Sequence, residues 1–241
     1  MGTELLYQRD SYLKEMNAEV IKVTDEGVIL DRTVFHPRSG GVANDLGTIS
    51  ADGRTYEVRS VRIVRDGEDA YVLHVLDTVE GLKPGVKVHG VIDWGRRYRL
   101  MRLHIAAHIL SAIMYREYGA LITGGDIQPD KAKDDFSIES MDKSVFEDAV
   151  RKANDVVKQG IEVKVYWLDR EEAMKIEGIV KLASKMPPNL KRLRIVEIPG
   201  VDIQADGGPH VRNTSEVGEI KLLKVENKGR RRKRIYYTVV P

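Results

Sequence analysis

The 241-residue sequence contains no cysteine, no long hydrophobic run and no large surplus of charge of either sign. The absence of cysteine excludes disulfide bonds and thiolate metal ligands, so a metal site here would need histidine and carboxylate ligands. There is no run of 18 apolar residues and no signal-peptide pattern, which predicts a cytoplasmic protein without a membrane span. Because 39 basic residues nearly balance 37 acidic ones, binding to nucleic acid would have to rely on local clusters.

Two histidines four residues apart are the first candidate functional group. Residues 97–118 are predicted to form a helix because apolar side chains recur at steps of three and four: Leu100, Leu103, Ala107, Leu110 and Met114. Residues four apart share a helix face, so His104 and His108 can converge on one metal ion. They are expected at the edge of the apolar stripe, near the rim of a core. The alternative is a pair of core-edge histidines without a ligand.

A third histidine and an acidic residue follow about a hundred residues later, in the segment Asp206-Gly-Gly-Pro-His210. Together with the helical pair, His210 completes the three protein ligands that are typical of catalytic zinc sites. Asp206 is predicted to be a fourth ligand, or alternatively to orient the bound water or a histidine. Such a zinc ion polarises a carbonyl group and lowers the pKa of bound water towards about 7, as ester hydrolysis requires.

The first 92 residues consist mainly of short β-like runs separated by turn signals. The runs cover residues 18–23, 27–30, 46–49, 55–64, 70–75 and 86–92. Because no amphipathic helix separates them, they predict a small antiparallel β-barrel that forms a domain of residues 1–92. Residues 35–47 form a glycine-rich loop in which Gly40 and Gly41 allow close approach to a ligand. A flexible loop without a function is the alternative.

Residues 93–241 predict a second domain of the α+β class, with helices packed on an antiparallel sheet. After the histidine helix, a loop at residues 124–135 is expected to lead into a strand at 135–139. A helix is predicted at 142–159, and a short one through Met174 after a capping box formed by Asp169 and Glu172. Further strands are expected at 161–168 and 193–198, after a break at Met186-Pro-Pro-Asn189, and a hairpin from 217–225 and 234–240.

Basic residues gather at two places that suit a polyanionic partner. The final hairpin contains Lys228-Gly-Arg-Arg-Arg-Lys-Arg234, and four arginines lie at the start of the histidine helix. Clusters of this kind contact phosphates without reading sequence, whereas a solvated charged face is the alternative. The predicted nucleic-acid contacts are Arg96, Arg97, Arg230, Arg231, Arg232 and Lys233.

The two histidine segments resemble the AlaX family, which are freestanding trans-editing proteins related to the editing domain of alanyl-tRNA synthetase. That family pairs a His-x-x-x-His helix with a later Asp-x-Gln-x-Cys-Gly-Gly-Thr-His-Val stretch. Here the segments read His104-Ile-Ala-Ala-His108 and Asp202-Ile-Gln-Ala-Asp206-Gly-Gly-Pro-His210-Val. The resemblance runs nearly end to end and is greatest to the medium-length members, which lack the extra C-terminal domain. The departures are Asp206 for cysteine, Pro209 for threonine and Val42 for glutamine.

The resemblance implies a zinc-dependent hydrolase that deacylates mischarged tRNA(Ala), chiefly the seryl ester, with the glycyl ester as a further candidate. A pocket for alanine rejects serine only about a hundredfold, whereas a second site that hydrogen-bonds the hydroxyl can discriminate by about 10⁴. Gln204 is expected to hold that hydroxyl or the terminal adenosine, with Thr214 and Asn44 as further candidates. The Gly40-Gly41 loop is expected to close over this end. The expected partners are the acceptor end of tRNA(Ala) and one zinc ion per chain, without an obligate protein partner.

Two other functions fit the same residues. One is a noncatalytic RNA-binding protein in which the metal only braces the fold. The other is a metal-dependent esterase of small molecules, against which the basic clusters count, because a neutral small ester has no use for them.

Overall fold

The computed structural model describes residues 2–67, 69–139, 142–176, 179 and 190–241. The chain divides into two compact units, Met1–Leu100 and Met101–Pro241, and the boundary falls inside the longest helix. Among the described residues, no helix is both long enough and apolar enough to cross a membrane.

The first unit consists mainly of strands. Its elements are β1 (Glu4–Leu5), α1 (Leu6–Arg9), β2 (Glu15–Thr24), β3 (Gly27–Leu30), β4 (Arg32–Thr33), β5 (Gly47–Ala51), β6 (Arg54–Asp66), β7 (Asp69–Leu76) and β8 (Lys87–Ile92). Each of the six predicted β-like runs overlaps one of these strands. The three short elements β1, α1 and β4 were not expected from the sequence, because two to four residues are too few to show a periodicity.

Six strands of the first unit pair in a closed antiparallel ring. Their order is β2, β3, β7, β6, β5 and β8, and β8 pairs back with β2 from Glu15↔Val91 to Glu19↔Lys87. Side chains that point inward form one buried apolar cluster, which includes Val20, Leu30 and Ile49. Closing the ring leaves none of these six strands with an unpaired edge.

The glycine-rich loop folds into a tight turn. The backbone amides of Ser39 and Val42 each donate to the other's carbonyl oxygen, at 3.3 and 2.9 Å. Positive φ angles at Gly40 (59°) and Gly41 (84°) match a type I′ turn, which favours glycine at both central positions. The imidazole of His36 lies 3.1 Å from the Ser39 hydroxyl and so braces the turn. The predicted loop is therefore a defined hairpin tip.

The second unit combines helices with antiparallel strands, as predicted, but its strands form two sheets where one was expected. The long helix α2 (Trp94–Tyr118) crosses the boundary between the two units, and the remaining elements follow it. These are β9 (Ile122–Ile127), β10 (Ala132–Phe136), α3 (Lys143–Lys158), β11 (Lys164–Asp169), α4 (Arg170–Ala173), β12 (Arg192–Ile198), β13 (Asp202–Ala205), a 3₁₀ helix (Thr214–Val217), β14 (Glu219–Asn227) and β15 (Lys233–Val240). One sheet has the order β14-β15-β10-β9 and the other β11-β12-β13.

The stretch from Gly124 to Asp135 is not the predicted loop. Residues 122–127 form β9, which pairs with β10, and the predicted strand at 135–139 overlaps only the end of β10. The two glycines misled the prediction because here glycine serves close packing. A Cβ on Gly125 would lie 2.7 Å from the Asp134 carboxylate, so only glycine fits opposite this buried aspartate.

The predicted capping box at Asp169 is also wrong. Asp169 precedes α4, but its side chain makes no capping hydrogen bond. A capping box forms instead at Asn213 and Glu216. The side chain of each residue accepts a hydrogen bond from the backbone amide of the other. The predicted break at 186–189 lies outside the described residues, and β13 was not predicted.

Candidate metal centre

The histidine pair lies on the most buried part of α2. Nearly every residue from Leu103 to Met114 is buried, on all faces of the helix. The expected position at the rim of a core is therefore wrong, because the helix is enclosed rather than amphipathic. His104 is 5% exposed and His108 is 3% exposed, so both imidazoles are withdrawn from bulk water.

Strand β13 brings polar side chains to this helix. Residues two apart on a strand point to the same face, so Asp202, Gln204 and Asp206 all project one way. Each meets a different residue of α2. Asp202 lies 2.8 Å from the ring of His108, Gln204 lies 3.4 Å from the hydroxyl of Ser111, and Asp206 lies 3.4 Å from the ring of His104. The alternation of polar residues at 202, 204 and 206 is therefore what aligns the site.

Four ligand-type side chains converge at one point. Nitrogen or oxygen atoms of His104, His108, Asp206 and His210 all lie within 4.8 Å of one another. The Nε2 atoms of His108 and His210 are 3.2 Å apart, and His210 Nε2 lies 3.6 Å from Asp206 Oδ1. Ligands at about 2.0 to 2.2 Å from a tetrahedral ion lie about 3.3 to 3.6 Å apart, which is close to these separations.

Hydrogen bonds on the outer side of the cluster fix two of the rings. The Nδ1 atom of His108 lies 2.8 Å from Asp202, and that of His104 lies 3.3 Å from the carbonyl oxygen of Pro209. Both acceptors favour a proton on Nδ1, which leaves the Nε2 lone pairs directed into the cluster. This arrangement is the usual outer support of metal-bound histidine.

The loop between Asp206 and His210 is shaped to reach the histidine helix. A Cβ on Gly208 would lie 2.8 Å from the ring of His104, so glycine is needed for this approach. The buried guanidinium of Arg194 holds the loop by donating to the carbonyl oxygens of Asp206 and Gly208 at 2.9 and 3.0 Å. Sequence reasoning assigned no role to Arg194, because nothing in its local sequence marks it.

The electrostatics of the cluster favour the metal-binding protonation state at Asp206 and His210, whereas His108 is held towards its protonated form. Burial alone would raise the pKa of Asp206, but the neighbouring histidines lower that pKa well below its usual range. Burial, together with His104, holds the pKa of His210 well below that of a free imidazole. Burial opposes protonation of His108, yet Asp202 outweighs burial and raises the pKa of His108. An ionised Asp206 and a neutral His210 are ready to bind a cation.

The donor set fits a divalent metal ion. Three imidazoles and one carboxylate are ligands that zinc accepts, and the supporting hydrogen bonds already point their donor atoms inward. All four predicted ligands are thus brought together in the second unit, although they come from segments about a hundred residues apart.

Arg97 does not fit its predicted role as a phosphate contact. Its side chain is fully buried and forms a bidentate ion pair with the carboxylate of Asp45, which is also fully buried. Its remaining donors reach the carbonyl oxygens of Ser11 and Val34. The prediction is wrong, because Arg97 cross-links the first unit internally. Arg96 is partly exposed and donates to the carbonyl oxygen of Asn44.

Lys233 is likewise a structural residue. It is 1% exposed, and its ammonium donates to the carbonyl oxygens of Gly229 and Arg230 at 2.8 and 2.9 Å, closing the hairpin turn. The prediction that it contacts nucleic acid is therefore wrong. Arg230, Arg231 and Arg232 remain exposed on that turn, and Arg231 pairs with Glu139 at 2.8 Å.

Thr214 also lies away from its predicted role. It is fully buried at the start of the 3₁₀ helix, where its hydroxyl accepts from the backbone amide of Ile161. The same hydroxyl lies 3.4 Å from the carbonyl oxygen of Val157, which satisfies the end of α3. Its role is to join two elements, so the prediction of a substrate contact is wrong. Gln204 is half-buried beside the cluster, as a substrate contact requires.

Comparison with known families finds one match in each unit. Residues 193–236 match the family described as the threonyl and alanyl tRNA synthetase second additional domain. Residues 8–96 match the family described as class II (A) tRNA synthetases. The first match covers β12, β13 and the segment that contains Asp206 and His210.

Whole-length relatives extend these matches. An alanyl-tRNA editing protein AlaX-M from Saccharolobus solfataricus is 53% identical over 239 residues, covering 99% of this chain and 100% of the relative. One from Methanosarcina barkeri is 43% identical over 99% of each chain. An alanine–tRNA ligase from Archaeoglobus fulgidus is 38% identical over 94% of this chain but only 24% of the ligase. With its metal-type cluster and this end-to-end similarity, the chain belongs to the AlaX-M family of alanyl-tRNA editing proteins.

Proposed function

We propose that this protein is an editing hydrolase that removes the wrong amino acid from tRNA(Ala). The observation that carries the proposal is the buried convergence of three imidazoles and a carboxylate, two of them in the segment that matches the synthetase-associated domain. The names of the relatives, which the chain matches over its whole length, give the substrate class.

The reaction is hydrolysis of the ester that joins the amino acid to the terminal ribose. The oxygen of water forms a bond to the carbonyl carbon, and the bond from that carbon to the ribose oxygen breaks. The ribose oxygen takes a proton, so the products are a free amino acid and uncharged tRNA.

We infer that the metal is zinc, held by His104, His108, His210 and Asp206. Three imidazoles and one carboxylate suit zinc, and the chain offers no thiolate that would make a closed cysteine site. When bound, zinc supplies Lewis-acid chemistry that polarises the ester carbonyl and promotes ionisation of water. Asp202 and the carbonyl of Pro209 orient two of the rings, as their hydrogen bonds to Nδ1 indicate.

Selection of the serine ester is assigned to Gln204. Its side chain lies on the same face of β13 as Asp206, and its amide nitrogen donates to Ser111 at 3.4 Å. That hydrogen bond holds the amide in one orientation, with its oxygen available as the acceptor for a substrate hydroxyl. A site that pairs with the hydroxyl disfavours alanine, which leaves the amide oxygen without this partner. Glycine is the second candidate substrate.

The tRNA itself is assigned to the exposed arginines. Arg230, Arg231 and Arg232 lie together on the turn of the last hairpin, and Arg96 is partly exposed in the first unit. Contact of substrate with Gly40, Gly41 and Asn44, which belong to the first unit, remains a prediction. A protein acting on tRNA(Ala) in this way would work in the cytoplasm, where its substrate is used.

The test is release of labelled serine from seryl-tRNA(Ala), measured beside correctly charged alanyl-tRNA(Ala). The expected result is hydrolysis of the serine ester only, lost on treatment with a chelator and restored by zinc. Efficient hydrolysis of alanyl-tRNA(Ala) by Gln204→Ala, with serine activity retained, would support the specificity role. Unchanged kinetics of this variant on both esters would exclude it.

Two results would point to the rival functions. Binding of tRNA without hydrolysis by a folded, zinc-loaded protein would favour a noncatalytic RNA-binding protein. Turnover of small esters that does not depend on salt, with no preference for tRNA, would favour a small-molecule esterase.

A further inference from the structure

Strand β11 exposes an aromatic residue close to the metal centre. Trp167 is 39% exposed and Val165 is 42% exposed, and the two lie on the same face of the edge strand. Their neighbours Tyr166 and Leu168 point to the opposite face and pack against a buried apolar cluster. Exposed apolar side chains on an edge strand form a surface to which another molecule can bind.

The register of the sheet connects this indole to the metal cluster. Trp167 pairs with Arg194 on β12, and the carbonyl oxygen of Arg194 accepts the backbone amide of Asp206 at 3.0 Å. Trp167, Arg194 and Asp206 therefore form one row across three strands. Since neighbouring strands are about 4.8 Å apart, the backbone of Trp167 lies about 10 Å from that of Asp206.

The row above it has the same arrangement. Val165 pairs with Val196, and Val196 pairs with Gln204. The exposed strip formed by Val165 and Trp167 is thus on the face of the sheet that presents Gln204 and Asp206. Arg194 and Val196 between them are buried, so the exposed part of this face begins at the strip, about the length of one to two nucleotides from the metal cluster.

We propose that the Val165–Trp167 strip is a stacking platform for a nucleobase at the single-stranded 3′ end of the tRNA. This inference rests on the proposed editing function and adds the place at which the end of the substrate is held. Stacking on an aromatic ring tolerates any base and is a common way to bind single-stranded nucleic acid. The ester bond then lies over the metal cluster while a base rests on Trp167.

The size and charge of the strip favour a nucleobase over a protein partner. A stable protein interface covers about 800 Å² on each side, whereas two side chains form only a small apolar area. A base has an apolar face of a size that one indole can cover. Beside the strip, Arg192 donates to the carbonyl oxygen of Trp167 at 3.4 Å and lies 3.5 Å from the carboxylate of Asp169. The surroundings of the strip are therefore polar, which suits a nucleotide better than an apolar protein surface.

The chain contains only two tryptophans, which gives a direct probe of stacking. In the parent, Trp94 lies in the first unit and is stacked on Tyr98. A Trp94→Phe variant therefore has Trp167 as its sole indole. The variant is titrated with a single-stranded RNA ending in cytidine-cytidine-adenosine. We expect the fluorescence of Trp167 to be quenched on saturation. Three further RNAs each carry an abasic site at a different one of the three terminal nucleotides. The RNA that quenches Trp167 least identifies the stacked base.

Kinetics of mischarged tRNA(Ala) provide the second readout. Trp167→Ala should raise KM on the order of tenfold with little change in kcat, whereas Trp167→Phe should retain most of the affinity. A small seryl ester that lacks nucleotides should be hydrolysed equally by both variants and by the parent, because it does not reach the platform. Val165→Thr, which keeps the strand propensity of this position, should have a smaller effect on KM.

Three outcomes would overturn the inference. The first is hydrolysis of seryl-tRNA(Ala) with the parental KM in Trp167→Ala, and the second is unquenched Trp167 fluorescence at saturating RNA. The third is a concentration-dependent dimer of the parent that Trp167→Ala abolishes, which would make the strip a contact between copies of the chain. If the parent hydrolyses no tRNA ester but Trp167 is still quenched by RNA, the editing function fails and the platform stands.

Discussion

Asp206 presents its two carboxylate oxygens to different partners. Oδ1 accepts the backbone amide of Gly208 at 2.6 Å, while Oδ2 lies 3.4 Å from the ring of His104. Oδ1 thus fixes the loop and also lies 3.6 Å from His210 Nε2, while Oδ2 faces His104. A carboxylate is suited to both roles at once, which explains how aspartate can stand at a position where the family pattern has cysteine.

Asp202 acts on the metal centre through the ring of His108. We expect Asp202→Asn to weaken zinc binding by about ten- to a hundredfold, because loss of the carboxylate lowers the basicity of the imidazole. Affinity is measured by competition with a chromogenic chelator. Glu197→Gln is the matched control, because this carboxylate on the neighbouring strand bonds Tyr166 and not a histidine. Equal affinity in Asp202→Asn and the parent would show that Asp202 does not support the ligand.

Asp134 links stability to pH. Burial raises the pKa of this aspartate from 3.8 to about 7, despite the hydrogen bond from Tyr237. Between about pH 4 and pH 7 the unfolded chain loses the proton that the folded chain keeps, so the free energy of unfolding falls as pH rises. Asp134→Asn keeps an oxygen for Tyr237 and carries no titrating proton. It should flatten this dependence and be more stable than the parent at pH 7.

The neighbouring Asp135 provides a control of opposite sign. Its bidentate ion pair with Arg234, opposed by burial, lowers the pKa of Asp135 below 3.8. The pair contributes stability above that pH, which is lost on acidification. Urea unfolding at pH 4, 5.5, 7 and 8 should therefore show Asp135→Asn destabilised about equally from pH 5.5 to 8 and less at pH 4. A parallel response of the two variants would contradict the protonation state assigned to Asp134.

At the level of secondary structure, periodic segments were predictable and register-dependent ones were not. Helices α2 and α3 were expected because their apolar residues recur at helical spacing, and β3 was predicted at its exact bounds, Gly27–Leu30. Strand β13 is only four residues long, so its alternation of polar and apolar side chains is too short to mark it as a strand. Its position is set by pairing with β12, which a local pattern does not contain.

The candidate site shows the same division. The four ligands were found because histidines at helical spacing and a nearby carboxylate have a chemistry that sequence displays. Arg97, Thr214 and Lys233 were misassigned because polar side chains are usually exposed, whereas all three are buried and hydrogen-bonded to carbonyl oxygens or a carboxylate. Burial of such groups depends on which strands and loops surround them, and that information is not local.

The turn of the last hairpin is the element assigned to phosphate. We expect the double variant Arg230→Gln, Arg232→Gln to raise KM for tRNA with kcat nearly unchanged. The slope of log(kcat/KM) against log salt should fall by about one to two, since each lost phosphate contact removes close to one counterion. The control is Lys143→Gln, Lys158→Gln, which removes the same charge from the exposed ends of α3. An equal rise in KM in the two double variants would mean that net charge, not the hairpin, attracts the substrate.

For the whole molecule, a bound metal should contribute to stability as well as to catalysis. The ligands come from α2 and from the loop after β13, so a metal ion joins segments that are far apart in the sequence. Ligand binding to the folded state at a hundred times Kd adds about 2.7 kcal/mol. For a chain of this size that raises the unfolding temperature by about 5–10 °C.

Calorimetry of the intact chain tests this contribution. The chelated protein should unfold at a lower temperature than the zinc-loaded protein. Adding zinc back to the chelated protein should restore the higher unfolding temperature. His210→Asn should unfold at the lower temperature whether or not zinc is present, because one of four ligands is missing. His89→Asn alters a partly exposed histidine outside the cluster and should respond to zinc like the parent. If His210→Asn gains as much stability from zinc as His89→Asn does, the metal binds elsewhere, and the cluster has to be explained as a network of buried histidines held by Asp202 and Asp206.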